Sequence, residues 1–210
     1  MASPALNRIF DTAKVYLPGA LDIALQLEFH QLLNDFFQMT NCWTEDIQIP
    51  VIPVTPATTT YLSDPLQFTY TLTPTIGAIV RMMWLVNVQG SRISATMPVP
   101  GDLVLAYGPS TNDTYYCRVA LTVSDPTTRE GDPQVPDWAL DKYGVDLMEG
   151  LVGRMMMQPA KPYTAKQDGL FHMKNYISAR SDAKIEAAHQ NVYGGQAWQF
   201  PKQFSTRRWR

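Results

Sequence analysis

Residues 115–123 read YYCRVALTV, in which large apolar side chains alternate with smaller or more polar ones. Successive side chains of a β-strand point to opposite faces, so a period of two predicts a strand with one buried face. The residues on that face are Tyr115, Cys117, Val119, Leu121 and Val123. This strand lies in the middle of the chain, and the sequence has helical patterns both before and after it. The order of helices, strands and helices predicts an α+β fold.

Four stretches before this strand also have β texture. Gln67 to Thr73 alternates, and Ile79 to Val88 and Leu103 to Tyr107 are short apolar runs. Ile47 to Val54 contains two prolines, which favour an edge strand or an extended arm because proline cannot donate to a ladder. Turns are predicted at Gly90, Pro98, Pro100, Gly101, Gly108 and Pro109. Together these stretches predict a compact antiparallel β domain of about 80 residues.

Helical patterns precede the β region. A short helix is predicted from Pro4 to about Val15, because Ser3 suits an N-cap and proline suits the first helical position. After a break at 17–19, a longer helix is predicted from about Ala20 to Met39. Its apolar residues recur every three to four positions and are expected to pack on more than one neighbour: Ile23, Leu27, Phe29, Leu32, Leu33, Phe36 and Phe37.

Two more helices are predicted after the β region. Asp137 is predicted to cap a helix that runs from near Trp138 to just before Pro159. Its apolar stripe comprises Leu140, Tyr143, Leu147, Leu151 and Met155. Thr164 and Gln167 match a capping box for a last long helix, from about Ala165 to His189. Gly150 and Gly153 each cost about 1 kcal/mol inside a helix, and we therefore expect a neighbouring helix to approach closely there.

The order of these patterns predicts an α+β fold, in which N- and C-terminal segments form one helical bundle and an antiparallel β domain is inserted between them. The predicted boundaries are 1–46 and 129–193 for the bundle, 47–128 for the β insert and 194–210 for an extended C-terminal arm.

Composition narrows the class of protein. The 210 residues are 45% hydrophobic and 17% charged, as in a globular chain, and the formal net charge of −2 gives no global basic field that would recruit nucleic acid. Two distant cysteines form neither a disulfide framework nor a metal-binding spacing. No stretch is apolar for long enough to span a membrane and no signal peptide is evident, so we expect synthesis in the cytosol.

A search for catalytic motifs favours a protein that is not an enzyme and has no cofactor or metal. There is no phosphate-binding loop and no nucleophile motif, no histidine lies four residues from another histidine, and none is in a Cys/His cluster. His30, in an apolar helix, is predicted to be a partly buried structural residue. A hydrolase with a dispersed site remains an alternative, and its candidates Asp102, Asp113 and Asp125 lie at predicted strand ends.

The C-terminal arm is unlike a disordered polar tail, because aromatic residues alternate there with bases. Aromatic and arginine side chains commonly anchor protein interfaces. We therefore predict that the arm binds a partner rather than folding back on its own body. The residues assigned to it are Gly194, Gly195, Trp198, Phe200, Pro201, Phe204, Arg207, Arg208, Trp209 and Arg210.

Several short motifs resemble, in order, those of the head-to-tail adaptor (connector) proteins of short-tailed bacteriophages. They begin with Tyr16-Leu17-Pro18-Gly19-Ala20, then Phe36-Phe37, then Thr40-Asn41-Cys42-Trp43. Beyond the β region come Val135-Pro136-Asp137-Trp138-Ala139-Leu140, Tyr143, Glu149-Gly150-Leu151-Val152-Gly153-Arg154-Met155 and Gln158-Pro159-Ala160-Lys161-Pro162-Tyr163. Ala179-Arg180, Asn191-Val192-Tyr193-Gly194-Gly195 and Trp198-Gln199-Phe200-Pro201 complete the series.

The resemblance implies a structural protein of the virion. It implies a homododecamer docked on the portal protein ring, with the C-terminal arm reaching into the portal. Tail nozzle or fibre proteins would bind below, and DNA would pass through the lumen during ejection only as cargo. The expected location is the portal vertex and tail of the virion, after assembly in the host cytoplasm.

Two other classes of virion or binding protein stay open at this point. One is a different virion structural subunit: a tail nozzle, tail-completion or capsid-decorating protein. The other is a nucleic-acid binder that uses the basic aromatic arm for stacking, against which the acidic body argues.

Overall fold

The computed structural model describes residues 4–51, 68–107, 112–124 and 134–191. Its helices and antiparallel strands occupy separate parts of the chain, so the fold is α+β, as predicted. The elements are α1 (Pro4–Tyr16), α2 (Asp22–Thr40), β1 (Thr44–Val51), β2 (Thr69–Thr71), β3 (Ala78–Asn87), β4 (Ala95–Val99), β5 (Asp102–Leu105), β6 (Asp113–Thr122), α3 (Asp137–Met156) and α4 (Lys166–Gln190).

Helices α1 to α4 form a bundle in which α3 packs against α1, α2 and α4. Its contact with α4 is close because two glycines of α3 face that helix. A Cβ atom added to Gly150 would lie 2.7 Å from Cδ2 of Tyr176, and one added to Gly153 would lie 2.9 Å from the backbone nitrogen of Met173. The predicted close approach at these glycines is therefore confirmed.

The strand β6 is the centre of the first three-stranded sheet, with the order β1-β6-β3. The face predicted from its alternation is buried, since Tyr115, Cys117, Val119, Leu121 and Val123 are all in the core. Among the described strands, β1 pairs only with β6 and so lies at the edge of this sheet, as Pro50 indicated; Pro53 lies outside the described residues. The strand begins at Thr44, earlier than the predicted Ile47.

The second sheet has the order β2-β5-β4 and differs from the prediction in two places. The strand β2 is only three residues long, where seven were predicted. The strand β4 was not predicted, because Pro98 indicated a turn. The register with β5 shifts between Thr96 and Val99, so the proline lies at an irregularity of the ladder where its missing N–H is tolerated.

The sheets and the bundle share one hydrophobic core, joined where α2 meets β6. The rings of Phe37 and Trp43 lie 5.2 Å apart at this junction. The hydroxyl of Thr122 donates to Oδ1 of Asn34 at 2.6 Å. His30 is buried, and its Nε2 lies 3.0 Å from the carbonyl oxygen of Ser124, which confirms the structural role predicted for this histidine.

Three local predictions about the helices were wrong. Ile23 and Leu27 follow the apolar period of α2 but are exposed, because the core side of that helix is centred on other residues. Asp137 is the first residue of α3 rather than its cap, since Pro136 occupies the N-cap. Thr164 does not form a capping box for α4: its hydroxyl donates to the carbonyl oxygen of Gln158 at 2.7 Å and so closes the α3–α4 loop.

Candidate assembly surface

The residues predicted for the C-terminal arm, at 194–210, all lie outside the described residues. The last described residue is Asn191. Helix α4 ends at Gln190, and Nδ2 of Asn191 donates to the carbonyl oxygen of Asn41 at 3.2 Å. The last described residue is therefore held at the end of α2, beside the junction of bundle and sheets.

Helix α4 leaves most of its surface uncovered. Only four of its 25 residues are buried, and they are small residues and one tyrosine at helical spacing: Gly169, Tyr176, Ala183 and Ala187. This narrow stripe lies against α3, where Gly169 would place a Cβ 3.1 Å from Cβ of Met156. Close contact between backbones, rather than a broad apolar face, holds α4 in place.

An apolar ridge runs along the outward side of α4. It consists of Leu170, Ile177 and Ile185, which are 61%, 45% and 58% exposed; we call these three residues the α4 ridge. The spacing of seven and eight residues keeps them on one side of the helix. Three exposed lysines lie on the same side, and none of them forms an ion pair with a described residue: Lys166, Lys174 and Lys184.

An open groove of about 170 Å³ lies between α1 and α3, on a different side of α3 from α4. The two helices touch at Gly144, where an added Cβ would meet Cδ1 of Ile9 at 3.5 Å. Val145 on its rim is 72% exposed. The lining residues, which we call the α1–α3 groove, are Ala5, Arg8, Ile9, Thr12, Leu140, Asp141, Gly144, Val145 and Met148.

One end of the bundle carries an aromatic cluster that joins α1 to α4. The ring of His172 lies 5.6 Å from that of Tyr16 and 6.0 Å from that of Phe171, and both of these neighbours are exposed. Nδ1 of His172 is 2.8 Å from Oε2 of Glu149, which also accepts from Nδ2 of Asn175 at 3.2 Å. These contacts fix α4 relative to α1 and α3.

The ion pairs of Arg118 and Arg154 connect neighbouring helices and strands. Arg118 on β6 donates twice to Asp46 on β1, at 2.6 Å for each bond, and its guanidinium lies 4.8 Å from the ring centre of Trp84 on β3. Arg154 on α3 pairs with both Glu28 and Asp35 on α2. These side chains are occupied in holding neighbouring elements together.

The candidate carboxylates of the hydrolase alternative lie in structural positions. Asp102 accepts from the hydroxyl of Thr71 at 3.3 Å, and Asp113 accepts from the backbone N–H of Thr114 at 2.8 Å. They begin strands of different sheets, and Asp125 lies outside the described residues. Within the described ranges, no group of three or more histidine, cysteine or acidic side chains is placed to hold a metal ion.

Comparison with known proteins does not assign the chain to a family. No protein-family model matches the chain, and no curated protein matches it significantly in sequence. Among the helices that the structure describes, none combines the length and hydropathy needed to cross a membrane.

The sequence alone did not assign a function to the α4 ridge or to the α1–α3 groove. Their apolar residues are visible in the sequence, but which side of a helix stays uncovered depends on how the helices pack. One available signal was the set of three lysines at helical spacing beside Leu170 and Ile177.

Proposed function

We propose that this chain is a non-enzymatic adaptor of a bacteriophage virion, a subunit of a homododecameric ring that joins the portal to the tail. The observation that carries the proposal is the layout of α4. This helix turns an apolar, lysine-flanked side outward and leads directly into a C-terminal segment with two tryptophans, two phenylalanines and four bases. The resemblance of the sequence motifs to those of head-to-tail adaptor proteins suggests which kind of assembly such a surface would serve.

A ring subunit needs two different side faces, because only a heterologous contact that closes by rotation produces a ring. The α4 ridge and the α1–α3 groove are two exposed apolar features on different sides of α3. Their separation supports a ring rather than a two-fold dimer, which would need a single self-complementary face.

The proposed portal contact is the C-terminal arm, residues 194–210. Counted from Asn191, the 19 residues that follow span at most about 65 Å when fully extended. An arm of that reach, anchored beside Asn41, is long enough to insert into a neighbouring ring. Trp198 and Trp209 would provide the buried anchors, and the many copies in a ring would add avidity.

The proposed lumen role requires that DNA slide without being held. A formal net charge of −2 supports weak contact with phosphates. The proposal that the chain is not an enzyme is supported by the structural engagement of two of its arginines, Arg118 with Asp46 and Arg154 with Glu28.

The experiment is to mix the purified chain with its candidate portal ring and to measure the mass of the complex, with and without residues 196–210. We expect a portal-matched number of copies for the full chain and none for the truncated one, while circular dichroism of the two remains alike. Trp198→Ala with Trp209→Ala should weaken binding by more than about 30-fold, since anchors contribute about 2 kcal/mol or more. Gln203→Ala, at a position that is neither aromatic nor charged, is the matched control in the same segment.

Attachment of the truncated chain as strong as that of the full chain would contradict the assignment of the arm. Failure of both forms to bind would favour the alternative virion roles, a nozzle, tail-completion or capsid-decorating subunit. A salt-sensitive complex with DNA alone would favour the nucleic-acid binder.

A further inference from the structure

We draw no further inference here: the strongest candidate, the groove between the strands β1 and β2 that is lined by residues 47–50 and 70–73, carries none because it borders residues 52–67, which lie outside the described residues, and nothing in the structure shows what covers it.

Discussion

The contact between α3 and α4 predicts that a single methyl group at Gly153 destabilises the protein. A Cβ at this position would lie 2.8 Å from Cγ of Met173, 2.9 Å from the backbone nitrogen of the same residue and 3.1 Å from the carbonyl oxygen of Gly169. Two of these three atoms belong to the backbone of α4, which cannot rotate aside as a side chain can. The helix itself must move to accept Gly153→Ala.

The expected magnitude is the difference between two opposing effects. Replacing glycine by alanine inside a helix stabilises it by about 1 kcal/mol. Overpacking a well-packed interior costs about 1–3 kcal/mol, and backbone contacts place Gly153→Ala at the upper end of that range. We therefore expect a net loss of about 2 kcal/mol. Gly144→Ala in the same helix meets only the side chain of Ile9, whose Cδ1 and Cγ1 would lie at an ordinary 3.5 and 3.8 Å, and should gain up to about 1 kcal/mol.

Urea denaturation and thermal melting of the two variants measure this difference, at a protein concentration low enough to avoid self-association. For a chain of this size, a separation of about 2–3 kcal/mol corresponds to roughly 4–12 °C in Tm. If Gly153→Ala were as stable as Gly144→Ala, the close approach of α3 and α4 would not be a constraint on this fold.

Two further predictions concern ionisable groups. Burial, with the nearby charges of Glu149 and Asp182, raises the pKa of Asp146 above its ordinary range, so the ionised form weakens the fold. This destabilisation is absent below the ordinary aspartate pKa and is fully present above the raised pKa of Asp146. Asp146→Asn should therefore increase Tm at neutral pH, and the increase should disappear in acid. The control, Asp141→Asn at an exposed position, should change Tm little. Because the pKa of Cys117 is about 12, native protein should leave this thiol unmodified by Ellman's reagent at mildly alkaline pH, and denaturant should expose it; rapid labelling of the native thiol would contradict its burial.

The sequence was sufficient for elements whose burial follows a regular period. The alternation from Tyr115 to Val123 gave the correct inward face of β6, and the stripe from Leu140 to Met155 gave that of α3. The strand β6 lies at the centre of its sheet and α3 at the centre of the bundle. One side of each element must be buried there, and the apolar residues of the pattern mark that side. The two glycines at 150 and 153 were informative for the same reason, because their cost in a helix needs a packing explanation.

The sequence was insufficient to predict the buried side of a helix where close packing, rather than hydrophobicity, determines that side. A hydrophobic pattern in α4 would select Leu170, Ile177 and Ile185 as the core, yet the buried residues there are glycine, alanine and one tyrosine. Small residues allow the backbones to approach, and only the partner helix reveals that. The division of the described strands into two sheets depends on long-range pairing, which no local pattern contains.

Close packing of α4 on small residues also links the stability of the subunit to its proposed assembly. A helix held by a broad apolar face can shift among several packings, whereas one seated on Gly150 and Gly153 has little freedom to rotate. The direction of the α4 ridge relative to the α1–α3 groove is therefore set within the subunit. In a heterologous ring the angle between those two sides determines how many copies close the circle. The glycines that keep Leu170 and Ile177 facing outward would thus help to fix the size of the ring, although they touch no neighbouring copy.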